Sequence, residues 1–295
     1  MRWALGKSVC MFAAVFAGLI LAPAPAAGEV VKVMVSIPPQ AYFVERVGGE
    51  HVEVETLVPP GKSPATYEPT SRQMAALSGA RVYFRIGVPF EQGLIGKVKR
   101  MFPELPVVDT RKGVKLRYFG KRKEGEPPDP HIWLDPGRVK VQALTILETL
   151  VELAPDHGDV FEANLNEFHK ELDGLDRMLR EILKPVRGRP LYVFHPAFGY
   201  FCEAYDLKQV EVETEGKEPG PRKTAALIDS ARRDGVRVIF VQPQFSRKNA
   251  RVIAEALSGA IIPIDPLARN YMKNMRDIAL AVEEGLSRPG TPPEE

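Results

Sequence analysis

The sequence predicts an α/β protein of two lobes, each a parallel sheet flanked by helices, joined by one long connecting helix. Three observations predict it. Short β-branched apolar runs alternate with helix-length segments in both halves of the chain, the rhythm of parallel strands with crossover helices. Residues 135–187, between the halves, carry helical spacing alone. The length of 295 residues is enough for two ordinary domains.

The first element reads as a secretory signal peptide over residues 1–26. Arg2 and Lys7 form a positive n-region, residues 8–22 are an uncharged apolar run, and Ala24-Pro25-Ala26 offers small residues at a cleavage site. The apolar run falls short of the roughly 20 residues that span a bilayer. Removing Arg2 and Lys7 from the 40 basic residues leaves 38, against 38 acidic ones. A neutral mature chain lacks the basic field that a nucleic-acid partner requires, so no nucleic acid is expected. Cys10 lies in the leader, which leaves Cys202 as the one mature thiol, and its neighbours Tyr200, Phe201 and Ala204 suggest a packed helix position.

The N-terminal lobe covers residues 29–134. Residues 31–36 are a β-branched strand, and 39–47 a short helix stopped by Gly48-Gly49. A strand over 52–58, a helix over 71–78 ended by Gly79, a strand over 81–86, a helix over 90–101 and a short strand at 107–108 follow. The connector, 135–187, opens on Asp135-Pro136, a cap followed by Pro at the first helical position. After Pro155 comes the long helix, 159–183, with Val160, Leu165, Phe168, Leu172, Leu175, Leu179 and Ile182 at helical spacing. Pro185 and Gly188 end it.

The C-terminal lobe, 188–287, repeats the rhythm. Strands are expected at 191–194, 209–212, 236–241 and 261–264, and helices at 197–205, 222–234, 248–258 and 272–286. The Pro- and Glu-rich tail, 288–295, reads as disordered. A helical connector bends less readily than a loop, so lobe motion should be small. A ligand belongs in the crevice at the carboxyl ends of the strands.

The residues at those ends are informative. His195 directly follows a strand and precedes Pro196. Asp265 follows Ile261-Ile262-Pro263-Ile264 and precedes Pro266. His131 sits in Asp129-Pro130-His131-Ile132-Trp133-Leu134-Asp135-Pro136, just before the connector. Each alone is commonly a packing, capping or turn residue. Two imidazoles and a carboxylate facing one crevice suit Zn²⁺ or a similar first-row cation. The other histidines, His51 at an exposed strand start, His157 in a turn and His169 on the long helix, read as structural or solvated. Asp129 or Asp135 is placed to orient His131 through its second ring nitrogen. Trp133 reads as core.

Five segments in order then carry a family resemblance over essentially the whole mature chain. They are Pro64-Ala65-Thr66-Tyr67-Glu68-Pro69-Thr70, the 129–136 segment, Phe194-His195-Pro196-Ala197-Phe198-Gly199-Tyr200-Phe201, Pro243-Gln244-Phe245-Ser246 and Ile264-Asp265-Pro266-Leu267. With them the chain resembles the zinc- and manganese-type solute-binding proteins of ABC importers, the ZnuA/TroA-like group. The resemblance implies the cluster A-I solute-binding protein fold and a periplasmic, monomeric receptor. Such a receptor holds a divalent metal ion between its lobes and passes it to an ABC transporter membrane permease, without turnover. It implies His131, His195 and Asp265 as the second, third and fourth metal ligands. A His at the third place is zinc-like and a Glu manganese-like, so His195 leans to Zn²⁺, with Mn²⁺ the alternative.

The sequence departs from the family at the first ligand, where Ala65 stands in place of His. A water, Glu68, Glu213, Glu215 or Gln242 are the alternatives for that position, as is a site that binds metal weakly or takes another ligand. The loop before His131, Lys121-Arg122-Lys123-Glu124-Gly125-Glu126-Pro127-Pro128, is short and lacks His. With Arg111, Lys112, Lys115 and Arg117 it forms a basic patch, read as solvated rather than as an anion site. An adhesion protein on the same scaffold and a metal-dependent hydrolase are competing readings. The hydrolase lacks support from any H-E-x-x-H or G-x-S-x-G motif.

Overall fold

A computed structural model of the chain describes residues 30–120, 125–213, 219–245 and 247–287. The expected leader and tail, residues 121–124 and Glu215 lie outside the described residues.

Two four-stranded sheets, both fully parallel, form the lobes. The first holds β1 (Val31–Val35), β2 (Val52–Thr56), β3 (Val82–Arg85) and β4 (Val107–Asp109) in the order β2-β1-β3-β4. The second holds β5 (Pro190–Val193), β6 (Lys208–Glu211), β7 (Val238–Val241) and β8 (Ala260–Pro263) in the order β6-β5-β7-β8. The two orders are the same, so each lobe has a switch point beside its first strand, between β1 and β3 and between β5 and β7. Buried parallel strands need apolar residues on both faces, and Val238-Ile239-Phe240-Val241 is buried throughout.

Helices α1 (Pro38–Gly48), α2 (Ser71–Ser78) and α3 (Phe90–Met101) flank the first sheet. A capping box between Thr70 and Gln73 starts α2. In the second lobe the flanking helices are α6 (Gly199–Tyr205), α7 (Pro221–Arg233), α8 (Arg247–Ala256) and α9 (Tyr271–Ser287). Between them run α4 (Pro136–Leu153), capped by Asp135, and α5 (Gly158–Leu183). At 26 residues, α5 is about 39 Å long. Its buried stripe is Phe161, Leu165, Phe168, Leu172, Leu175, Leu179 and Leu183. Val160 and Ile182 were expected in that stripe. Val160 is exposed and Ile182 only half-buried, because Phe161 and Leu183 stand a full turn from Leu165 and Leu179.

One continuous hydrophobic core runs from β1 through α4 and α5 into β5, α6 and α9, and a smaller cluster fills the space under α7 and α8. Helix α9 packs on α5, and its first residue, Tyr271, stands edge-on to Phe43 of α1 at 5.0 Å. Arg269 and Glu45 form an ion pair alongside. Cys202 is free and buried, and burial pushes its thiol up to about 12, as a packed and unreactive thiol requires. Among the described residues no helix is long and apolar enough to cross a membrane.

Candidate metal centre

His195 lies two residues past the end of β5, at the β5/β7 switch point. Its backbone is held by Gln242, which follows β7. The His195 N–H donates to Gln242 Oε1 and Gln242 Nε2 donates to the His195 carbonyl, both at 3.0 Å. Phe245 stacks on the imidazole with centroids 4.7 Å apart. The ring's Nδ1 faces Glu213 Oε1 in a short contact, and Glu213 is buried. Burial lowers the pKa of His195 below the usual histidine value. The Glu213 hydrogen bond acts the other way, and His131 adds to the lowering.

His131 opens the turn Ile132–Leu134 that leads into α4. Asp129 Oδ1 accepts from its backbone N–H at 3.0 Å and lies 2.7 Å from its Nδ1. Asp129 is itself buried and takes Arg117 Nη1 at 2.7 Å on its second oxygen. Asp129 is thus the orienting carboxylate, while Asp135 caps α4 and pairs with Arg138. Arg117 crosses to the second lobe, and a Cβ at Gly199 would sit 1.4 Å from its Nη1, so any larger residue at the start of α6 would have to displace this guanidinium from Asp129. Tyr200 Oη completes the junction. It accepts from the Arg117 N–H and donates to the Asp129 carbonyl, both at 2.9 Å.

The two imidazoles meet across the crevice. His131 Nε2 and His195 Nε2 are 3.3 Å apart, and the ring planes stand at 74°. Each Nδ1 donates to a carboxylate, so each neutral ring presents a bare lone pair at Nε2. Two bare lone pairs at that distance repel, unless a proton or a metal ion lies between them. Two nitrogens bound at 2.0–2.1 Å to one tetrahedral ion would be about 3.3–3.4 Å apart, which is the spacing observed.

Asp265 follows Ile264, just past β8. Its Oδ1 accepts from Gln244 Nε2 at 2.8 Å and from the Leu267 N–H at 2.9 Å. The Trp133 indole N–H donates to the Pro266 carbonyl at 2.7 Å, which ties this strand end to the turn bearing His131. Among the described residues no group of three His, Cys, Asp or Glu side chains is close enough together to hold an ion as it stands. The structure brings the two histidines together and leaves Asp265 anchored to its own lobe.

A family model described as zinc-uptake complex component A, periplasmic, matches residues 33–285. The chain belongs to the ZnuA family. A high-affinity zinc uptake system protein ZnuA of Bacillus subtilis is 26% identical over 249 residues, covering 78% of this chain and 76% of that one. A putative metal-binding protein of Chlamydia muridarum is 26% identical over 253 residues, or 85% of this chain and 90% of its own. A crystal structure of ZnuA superimposes with a TM-score of 0.84 at 39% identity, covering 88% of this chain and all of that one. The periplasmic zinc-binding protein TroA of Treponema pallidum, 20% identical with a TM-score of 0.80, shares the fold.

Within this ZnuA-family chain the 64–70 loop is exposed at Ala65 and Glu68. Tyr67 stacks edge-on to Phe90 at 5.7 Å and donates to Gln73. Gln242 and Glu213, two candidates for the first ligand, are instead committed to His195. Of the expected basic patch, residues 121–123 lie outside the described residues, and three of the others pair with carboxylates. Arg111 forms a two-point contact with Asp109, Arg117 pairs with Asp129, and Lys112 reaches Glu148. His51 is half-buried rather than exposed, because its ring stacks on His157 at 3.8 Å.

Sequence reading missed the Phe245 stack and the Arg117–Asp129 pair. The Pro243-Gln244-Phe245 segment was visible as a motif, but nothing local says that it faces His195.

Proposed function

We propose that the chain is an extracytoplasmic receptor that captures one divalent transition-metal ion, Zn²⁺ in preference to Mn²⁺, and delivers it to the permease of an ABC importer. The observation that carries this reading is the 3.3 Å separation of two imidazole nitrogens, each backed by a carboxylate. His131 Nε2 and His195 Nε2 supply two donors, and the Asp265 carboxylate, drawn toward them by the cation, supplies the third. Ala65 offers no donor, so a water completes the four positions.

The carboxylates behind the imidazoles fix the tautomer and raise ligand basicity. The depressed pKa of His195 keeps its ring neutral and ready to coordinate near pH 7. The continuous core restricts capture to local adjustment at the crevice. The family model and the named zinc-uptake relatives support delivery to an importer.

Metal analysis of the purified mature chain, followed by calorimetric titration of the stripped protein with Zn²⁺ and Mn²⁺, tests the reading. One site per chain with Zn²⁺ bound more tightly is the expected result. Absence of Zn²⁺ binding at micromolar protein removes the zinc reading.

A further inference from the structure

The segment after β7, Gln242-Pro243-Gln244-Phe245, grips both second-lobe residues of the site. Gln242 clasps the backbone of His195, and Phe245 stacks on its ring. Gln244 reaches toward the neighbouring strand end and donates from Nε2 to Asp265 Oδ1 at 2.8 Å. The Leu267 N–H donates to the same oxygen at 2.9 Å. Both described hydrogen bonds to this carboxylate therefore fall on Oδ1. The backbone beneath is also fixed, since Asn274 Nδ2 donates to the Asp265 carbonyl at 2.7 Å and Trp133 Nε1 to that of Pro266.

The Gln244 amide has one workable orientation, because only its NH₂ end can face a carboxylate. Its Oε1 is buried with no hydrogen-bond partner among the described residues. The amide thus has an unspent acceptor beside the same carboxylate, suited to a proton of a cation-bound water.

A carboxylate oxygen that already accepts two hydrogen bonds has its lone-pair sites occupied. A cation approaching Asp265 is left with Oδ2. We infer that Gln244 is a selectivity-setting positioning residue, which keeps Asp265 a one-oxygen ligand and thereby favours a four-coordinate cation over one that prefers six. The inference rests on the metal-capture reading. Two imidazoles, one carboxylate oxygen and one water make a tetrahedral set, the arrangement Zn²⁺ adopts. Removing the Gln244 donor would open one lone-pair site on Oδ1 while the Leu267 N–H keeps the other, and so allow two-oxygen binding and a larger, more oxygen-rich shell, which suits Mn²⁺.

The test compares the wild-type chain with Gln244→Leu and Gln244→Glu, each titrated with Zn²⁺ alone and with Mn²⁺ alone. Zinc-edge X-ray absorption then reads the coordination number. Loss of the amide donor should weaken Zn²⁺ by about tenfold or more. Mn²⁺ should be held as well as before or better, and the zinc shell should grow beyond four. Equal weakening of both metals, or an unchanged ratio in a folded variant, overturns the inference. Should neither variant fold, a zinc-loaded wild-type structure decides: one Asp265 oxygen on the ion supports the inference and two oxygens overturn it. A wild-type chain that takes up neither metal defeats the metal-capture reading itself, whereas wild-type binding with an unchanged ratio in the variants defeats the role of Gln244 alone.

Discussion

His131 Nε2 and His195 Nε2 lie 3.3 Å apart, although 64 residues separate them in the chain and they leave from different lobes. Each is placed by its own anchors. Asp129 and the Trp133 turn hold the first, and Gln242, Glu213 and Phe245 hold the second. Neither set of anchors touches the other ring's position by accident of one loop, so the spacing is a property of the folded interlobe junction.

Removing either ring should weaken the centre by deleting a donor outright. His131→Ala and His195→Ala are each expected to weaken Zn²⁺ by roughly tenfold or more, because fewer ligands mean lower affinity. The double variant should lose less than the sum, since the two rings bind one ion. Calorimetric titration of the three variants checks this.

The carboxylates behind the rings should matter without touching the ion. Asp129→Asn and Glu213→Gln are expected to reduce Zn²⁺ affinity by about 10- to 100-fold while the chain stays folded. Arg117→Met should act in the same direction through Asp129, whose buried charge it leaves unpaired. Competition with a chromophoric chelator, beside a thermal melt, separates lost affinity from lost fold.

Stability of the metal-free chain should depend on His195 in mildly acidic solution. Its folded pKa lies below the ordinary value of about 6.5, so the unfolded chain binds more protons once pH falls below that value. The contribution is therefore whole above about pH 6.5 and is lost as pH falls toward the folded pKa. A melting temperature that declines over that window, with a shallower decline in His195→Gln, is the expected result.

The Ala65 position should accept the missing donor. Ala65→His is expected to tighten Zn²⁺ binding if the 64–70 loop reaches the crevice, as the family pattern implies. An unchanged affinity would show that another group already completes the shell. Titration of wild type and variant side by side gives the answer.

Much of the fold was legible because it follows from local chemistry. Apolar, largely β-branched runs became most of the parallel strands, β1 and β7 most plainly, and Asp135-Pro136 capped α4 as expected. His195 could be singled out because a His before Pro at a strand end is visible in one dimension, and His131 because it follows Pro just ahead of the Asp135-Pro136 helix start. What surrounds them was not. Gln242 meets His195 only because β5 pairs with β7 across 47 residues, and Arg117 meets Asp129 because their backbones pair, the Asp129 N–H donating to the Arg117 carbonyl at 2.9 Å. The stacked His51 and His157 were missed for the same reason, since their turns belong to separate segments that α5 brings together. Within the basic patch that sequence proximity suggested, Arg111, Lys112 and Arg117 pair with carboxylates that lie elsewhere in the fold or the sequence.

The central claim is that one cation is shared by two imidazoles. Zinc-edge X-ray absorption on the chain loaded with one equivalent of Zn²⁺ reads this directly. Two imidazole nitrogens at about 2.0–2.1 Å, falling to one in His131→Ala and in His195→Ala, are predicted. A zinc shell with no imidazole, or one unchanged by both substitutions, would contradict it.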